Sequence, residues 1–286
     1  MKRQPPCILL ALILLASLPG LAGASDREDT RHTELRTEPR WEAGIGVAPV
    51  SFPAYRGSRR QVHYVLPIPY LVYRADRLRV DREGARGLLV DRPRFEIDIS
   101  IDGAIPVNSS DDGPRAGMDD LDPLVEMGPS LNWMLTADRR WQLRVPIRAA
   151  ISLDRFSTSQ QGWKAHPMLR YTTVEPVGGW NLGFNLGPIF ATRDFHAYYY
   201  DVTGDDVIPG EREAFSAPGG YSGSALLVSA SRRFERIWFG SFLRYDYLGG
   251  AQFEDSPLVE TKHAVTAGLG ISWVFRQSSE RVPVRP

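Results

Sequence analysis

The chain has 286 residues, and its 34 basic and 34 acidic side chains give a formal net charge of zero at pH 7. A balanced charge provides no strong field for nucleic acid, and no nucleic-acid partner is expected. The single cysteine excludes a small domain stapled by disulfides. A mean hydropathy of −0.26 fits a soluble protein, but it also fits a barrel in which every second strand residue faces lipid.

The first 24 residues have the organisation of a secretory signal. A basic start at Lys2 and Arg3 precedes an apolar run over residues 8–18, and residues 22–24 form a small-residue ending. The run is too short to span a bilayer, so we expect cleavage rather than anchoring. Cys7 lies inside this segment, so the exported protein has no thiol, and its formal charge is about −2.

Residues 25–40 are charged and poor in apolar groups, which predicts a disordered periplasmic leader. From Trp41 onward strand signals dominate, and no helical periodicity extends beyond about two turns. We predict twelve strands, at residues 41–49, 62–74, 77–82, 87–91, 94–106, 122–136, 140–153, 164–175, 179–193, 221–234, 236–249 and 262–275.

The clearest strand pattern is at residues 95–102, where apolar and polar side chains alternate without a break. Successive side chains of a strand lie on opposite faces, so one face is apolar and the other charged. The same alternation recurs at residues 141–153 and 263–275. Such strands can form a soluble sandwich, or a barrel that turns its apolar face to lipid.

The connections between the predicted strands alternate between long and short. Residues 137–139 form one short connection, whereas residues 194–220 form the longest one. An up-and-down transmembrane barrel with tight periplasmic turns and longer extracellular loops has this alternation, and a Greek-key sandwich has no reason for it. The 77–91 hairpin is short for a bilayer-spanning pair, and prolines 67, 69, 146 and 167 are awkward inside strands.

Aromatic residues on the apolar faces lie near the short turns, as expected of an interfacial girdle. The alternative is a sandwich core whose aromatic residues happen to lie near strand ends. The proposed girdle residues are Trp133, Trp141, Tyr171, Trp180, Trp273 and Phe275.

Several segments together resemble the MltA-interacting protein (MipA/OmpV) family of Gram-negative outer membranes. They are residues 44–49, 55–58, 65–69, 73–74, 120–123, 187–188, 198–199, 256–259 and 268–275. The resemblance covers essentially the whole exported chain. The chain departs from the family pattern at residues 50–54, which add length, and at residues 276–286, which extend past the terminal aromatic residue.

The resemblance implies an outer-membrane barrel in contact with membrane lipid and lipopolysaccharide. It also implies a scaffold that links a murein-degrading lytic transglycosylase to a murein synthase, although some relatives are described as antigens or porin-like proteins. No catalytic motif is carried over from the family.

A search for catalytic or metal-binding patterns yields no site. The segment at residues 220–224 resembles a nucleophile elbow, but Ser224 stands where that motif needs glycine. The histidines His63, His166, His196 and His263 lack a recognisable spacing, and we interpret them as solvated, with His63 and His166 facing inward. The acidic cluster Asp111, Asp112, Asp119, Asp120 and Asp122 lacks the spacing of a calcium loop and is interpreted as a solvated loop. We expect no catalytic residue, metal or cofactor.

The polar faces of four neighbouring strands predict a lumen divided by charge. We expect acidic side chains on the first two strands and basic ones on the next two, either salt-bridged so that they fill the lumen, which we favour, or lining a narrow pore. The proposed lumen charges are Glu96, Asp98, Asp102, Glu126, Arg144, Arg148 and Arg170.

The sequence therefore predicts a signal peptide at residues 1–24, the leader at 25–40, an outer-membrane barrel at 41–275 and a C-terminal tail at 276–286. The leading function is a non-enzymatic scaffold in peptidoglycan remodelling. The alternatives are a narrow porin-like channel with a charge-split lumen and a lipid-modifying barrel enzyme.

Overall fold

The computed structural model describes residues 37–74, 78–81, 84–104, 113–153, 158–173 and 178–283. The predicted signal peptide, the leader up to residue 36, and Asp111 and Asp112 lie outside these ranges. The strands are β1 (Thr37–Pro39), β2 (Trp41–Pro53), β3 (Gln61–Arg74), β4 (Leu78–Asp81), β5 (Gly84–Asp91), β6 (Phe95–Ala104), β7 (Leu124–Met134), β8 (Trp141–Leu153), β9 (Thr158–Ala165), β10 (Met168–Thr172), β11 (Asn181–Ala191), β12 (Gly220–Phe234), β13 (Ile237–Tyr247), β14 (His263–Gln277) and β15 (Arg281–Pro283). Helix α1 (Arg193–Tyr200) and a 3₁₀ turn (Gly204–Asp206) lie between β11 and β12.

Strands β2 to β14 form one closed antiparallel sheet. Each strand pairs with the next in sequence, except that β9 and β10 each pair with β8 and β11, and β14 returns to pair with β2. Strands β9 and β10 both lie between β8 and β11, so they occupy one position and the barrel has twelve. The predicted up-and-down barrel is confirmed. We call its ends the short-turn end, which holds the turn at residues 135–140, and the long-loop end.

Apolar side chains cover the outside of this barrel. Ile45 is 59% exposed and Val65 is 72% exposed, whereas Ile68 on the inner face is only 1% exposed. A soluble sandwich buries its apolar face. Here that face points outward around the sheet, so the sandwich alternative is wrong.

The open edge of β3 explains two of the awkward prolines. The backbone N–H of Arg74 donates to Arg40 O at 2.8 Å, so the even-numbered residues of β3 hydrogen-bond to β2 and the odd-numbered ones face away. On that other side, β3 pairs with β4 only at Tyr73 and Arg74 within the described chain. The backbone N–H groups that Pro67 and Pro69 lack would therefore have pointed to an edge of β3 with no paired strand, so these prolines cost no ladder hydrogen bond.

The other two prolines lie at a break in the barrel wall. The N–H of His166 donates to Pro146 O at 3.2 Å, which directs the edge of Pro146 toward the gap between β9 and β10. Pro167 lies in that gap. The predicted strand at residues 164–175 is thus two strands. Pairing also begins earlier, at Thr158, because polar residues with no apolar alternation extend the hairpin with β8.

The first and last described strands, β1 and β15, form a two-stranded terminal ribbon. Glu38 lies opposite Val282 in this antiparallel pair. Arg40 Nη1 binds Glu280 Oε1 at 2.7 Å, and Arg74 Nη2 lies 2.5 Å from Glu38 Oε2. The end of the predicted leader and part of the predicted tail are therefore ordered, because β1 and β15 pair with each other.

The long-loop end carries a loop cap, which we define as α1 with residues 54–60, 113–121, 201–219 and 248–262. Its small apolar core includes Tyr55, Tyr200 and Phe253, and the rings of Tyr200 and Phe253 stack at 3.7 Å. Tyr55 Oη donates to Leu258 O at 2.6 Å, and Tyr200 Oη donates to Arg56 O at 2.7 Å. In the described ranges, no helix is long and apolar enough to cross a membrane.

Candidate functional site: the lumen and its outer cavity

The proposed lumen charges lie on the inner face of the barrel. Asp98 is fully buried, and Glu96, Glu126 and Arg170 are nearly so. The side chains of Asp102 and Arg148 keep some exposure, at 23% and 12%. Arg144 is partly buried. Strand parity alone placed all seven.

Neighbouring charges on the inner face pair with one another. Arg148 Nη1 donates to Asp102 Oδ2 at 2.8 Å across the wall from β8 to β6. Lys164 of β9 forms an ion pair with Glu126 of β7. Asp98 Oδ2 accepts a hydrogen bond of 2.7 Å from Asn132 Nδ2. Side chains of opposite charge thus pair along the inner wall between strands two positions apart.

Four charged residues of the site are absent from the sequence-based set. Arg244 donates to both carboxylate oxygens of Asp246, with Nε at 2.7 Å and Nη2 at 2.8 Å. Arg56 Nε, from the loop cap, lies 2.9 Å from Asp246 Oδ1. Lys164 is the fourth. Parity along the predicted strands could have found Lys164, Arg244 and Asp246, whereas Arg56 reaches the site through loop packing.

A cavity of about 270 Å³, the outer cavity, lies between this charge cluster and the loop cap. Its apolar lining includes Val50, Leu66 and Phe242. Its charged lining consists of Arg56, Asp102, Asp122, Glu126, Lys164, Arg244 and Asp246. The site is therefore amphipathic, and residues of the loop cap form part of its lining.

His196 anchors the loop cap to the barrel wall. Its Nδ1–H donates to Pro218 O at 2.5 Å, which leaves Nε2 to accept from the Ser222 hydroxyl. Both side chains are fully buried. Burial lowers the pKa of His196, so the neutral ring is favoured. A serine–histidine pair is one of the arrangements used for acyl transfer; here the pair ties α1 to the start of β12, and both residues also line the outer cavity.

Two predictions about the histidines are wrong. His196 is buried rather than solvated, because α1 packs against β12. His63 faces outward and is exposed, because the inner face of β3 is apolar and consists of the even-numbered residues. His166 faces inward with its Nε2 buried, and His263 is exposed.

Of the described acidic residues, Asp119 and Asp120 lie in the loop cap, and Asp122 lies between the cap and β7. Across the described ranges, no three His, Cys, Asp or Glu side chains are grouped so that they could hold a metal ion.

The proposed girdle residues lie on the outer face near the short-turn end. Trp141 and Tyr171 are opposite each other on β8 and β10, with ring centroids 4.8 Å apart. Trp273 and Phe275 are 5.6 Å apart on β14. Trp133 is 52% exposed, and Trp180 packs edge-on against Phe239.

Residues 45–275 match the family model described as MltA-interacting protein MipA. The chain belongs to the MipA family. This membership, together with the barrel, places the protein in the outer membrane, with its short-turn end in the periplasm and its long-loop end outside. No curated protein matches the chain.

Solved structures with a similar fold are outer-membrane proteins of low sequence identity. An outer membrane channel from Pseudomonas putida F1 has 15% identity and a TM-score of 0.43, over 86% of this chain and 100% of that one. The CymD monoaromatic hydrocarbon channel has 10% identity and a TM-score of 0.39, over 84% and 89%. Outer membrane phospholipase A from Escherichia coli has 8% identity and a TM-score of 0.28, over 92% and 97%. At such identities these similarities concern the fold alone.

Proposed function

We propose that this protein is a non-enzymatic outer-membrane scaffold whose periplasmic end binds murein enzymes, namely a lytic transglycosylase and a murein synthase. The family model is named for interaction with MltA. Ion pairs occupy the inner wall of the lumen, and the loop cap lies over its external end. Both features favour a role for the rim of the barrel over a role in transport.

The observation that carries the proposal is the charge of the periplasmic end. Among the described residues, arginines there outnumber carboxylates: Arg40, Arg74, Arg92, Arg94, Arg139, Arg140, Arg232, Arg233, Arg236, Arg276 and Arg281 lie near Glu38, Glu42, Asp91, Asp138, Glu235 and Glu280. At the external end the described carboxylates outnumber the arginines and lysines. A basic rim at neutral overall charge suits an acidic partner surface and steers its approach.

The test is a pull-down from crosslinked envelopes with a tagged barrel, with the captured proteins identified by mass spectrometry. The double variant Arg94→Glu, Arg236→Glu changes two exposed periplasmic side chains. We expect it to lose most of the captured transglycosylase and synthase. The matched control is Arg59→Glu, Arg60→Glu at the external end, which should retain both enzymes. Equal capture by wild type and both double variants would show that the basic rim is not the docking surface. Capture of neither enzyme by wild type would contradict the scaffold function.

A second candidate is a narrow pore, favoured by the charged inner wall from β6 to β10. If ions pass this wall, Arg144→Ala and Arg148→Ala should change single-channel conductance, because they remove positive charge from the lumen. Swelling of proteoliposomes at the rate of empty vesicles would exclude this candidate.

A further inference from the structure

We propose that the lumen is closed near its periplasmic end by a gate that the terminal ribbon holds shut. The gate is a cluster of four inner side chains, which we call the seal: Tyr70, Val72, Trp238 and Val274. The proposal concerns the passage through the barrel, and it holds whether or not murein enzymes bind the rim.

Solvent access differs between the two ends of the lumen. Beside the outer cavity, the side chains of Asp102, Lys164 and Arg244 are 23%, 22% and 32% exposed. Near the periplasmic end, Trp238 on β13 is 3% exposed, and Glu96, across the barrel on β6, is 5% exposed. Inner side chains along an open pore would be in contact with water. In the part of the chain that the structure describes, the lumen is therefore closed at the level of the seal.

The indole of Trp238 lies against a floor of glycines on the barrel wall. A Cβ at Gly240 would overlap the indole, and a Cβ at Gly270 would lie 3.2 Å from it. On the lumen side, the ring centroids of Trp238 and Tyr70 are 6.1 Å apart. The two glycines therefore provide the space in which the largest side chain of the seal packs against Tyr70.

A chain of polar contacts connects the seal to the terminal ribbon. Arg233 Nη1 donates to Tyr70 Oη at 3.1 Å and forms an ion pair with Glu42. Glu42 Oε1 also accepts from Arg74 Nη1 at 3.3 Å. Arg74 Nη2 in turn lies 2.5 Å from Oε2 of Glu38, which belongs to β1 of the ribbon. We call the four charged side chains of this chain the latch.

The ion pairs of the latch are balanced only while the ribbon is closed. Glu38 and Glu42 then neutralise Arg74 and Arg233. Opening of the ribbon withdraws Glu38 and leaves both guanidinium groups with Glu42. A partly buried cation that has lost its carboxylate is costly, so one arginine turns to water. Arg233 is the more exposed of the two, at 29% against 18%, and its departure takes the hydrogen bond from Tyr70 and loosens the seal.

The ribbon is the part of this end that opens most readily. Its two strands have three residues each, and among the described strands they pair only with each other. Short exposed strand pairs open at a lower free energy than the strands of a barrel wall. A periplasmic partner that binds β1 or β15 in the open form would therefore open the lumen as well.

The seal is tested by ion conductance of the purified full-length barrel in planar lipid bilayers. Wild type should be closed for most of the time. Trp238→Gly removes the indole from its floor of glycines and should conduct steadily, whereas Trp273→Gly, on the outer face, should behave like wild type. A steadily open wild type, or a folded Trp238→Gly protein that stays closed, would overturn the proposal.

The latch is tested by Glu38→Gln, which changes the ribbon and leaves the seal intact. The fraction of time spent open should rise about tenfold, because one carboxylate of the latch is lost. The matched control is Glu235→Gln, an exposed carboxylate at the same end but outside the latch, which should leave that fraction unchanged. Equal open fractions in these two variants would contradict the proposal.

Folding of each variant is checked by heat-modifiable mobility on gels. Should Trp238→Gly not fold, the comparison of Glu38→Gln with Glu235→Gln decides alone, since neither substitution lies in the seal.

Discussion

Along β2 and β3 the inner face of the barrel is apolar, whereas from β6 to β10 it is charged. Val50, Leu66 and Ile68 fill the lumen on the first side by hydrophobic packing. Asp102 with Arg148, and Glu126 with Lys164, fill it on the second side by ion pairs. The polarity of the lumen is therefore not uniform. Substitutions on the apolar side destabilise the barrel by creating a cavity, whereas substitutions on the charged side destabilise it by leaving a buried charge unpaired.

The largest effect is expected on the charged side. Glu126→Gln leaves Lys164 as an unpaired, largely buried cation, and should lower the free energy of unfolding by about 4 kcal/mol. The double variant Glu126→Gln, Lys164→Gln removes both charges and should recover most of that loss. Urea unfolding in lipid vesicles, followed by tryptophan fluorescence, measures both. A double variant as unstable as the single one would show that pairing is not what matters here.

On the apolar side, Ile68→Ala should cost about 3 kcal/mol, because Ile68 is only 1% exposed and its removal leaves a cavity. The matched control is Ile45→Ala on the outer face, where lipid replaces the lost contacts. The same unfolding assay separates the two. Raising the salt concentration should leave the Ile68→Ala effect unchanged, since no charge is involved. Equal costs at both positions would contradict the assignment of inner and outer faces.

A smaller effect is expected where the loop cap covers both halves. Burial lowers the pKa of His196 below that of an unfolded histidine, so the folded cap binds protons less readily. Its contribution to cap stability is complete above about pH 6.5 and is lost as the pH falls below that value. The protection of α1 amides against hydrogen exchange, corrected for the intrinsic rate at each pH, should therefore decrease on acidification.

His196→Gln should remove this pH dependence, and His263→Gln, at an exposed position, should keep it. An unchanged pH profile in His196→Gln would assign the effect to another group.

The smallest effect is expected at the open edge of the apolar side. Pro67→Ala and Pro69→Ala should each change stability by less than about 1 kcal/mol, because the restored N–H faces no partner strand. Leu66→Pro is the opposed control, since it deletes an N–H that bonds to β2, and should cost about 3 kcal/mol. Similar losses at positions 66 and 67 would mean that β3 is paired on both sides.

Alternation of side chains predicted most of the strands and the sides on which most of their residues lie, but it missed the division of residues 158–172 into β9 and β10. The sides on which Asp98, Glu126 and Trp133 lie were predicted from parity. A strand with one apolar and one polar face has only one orientation in the barrel wall that places its apolar side chains outside and its polar side chains inside. Parity failed at His63, since β3 is apolar on both faces and gives no contrast to read.

Contacts made by the loops could not be predicted from the sequence. The bond between His196 and Ser222 joins residues 26 positions apart, and that between Tyr55 and Leu258 spans 203. Such pairs depend on how separate loops pack together, which no local pattern encodes. The outer cavity depends on the same packing, because Arg56 reaches Asp246 from the cap.

The terminal ribbon has a kinetic consequence. Arg40 and Glu280 are 240 residues apart, yet the neighbouring pair of Glu42 and Gln277 is already held by the β2–β14 seam. Once that seam has formed, the ribbon closes a loop of only a few residues and loses little chain entropy. It can therefore open and reclose as a local event in the periplasm, releasing both chain ends while the barrel stays intact.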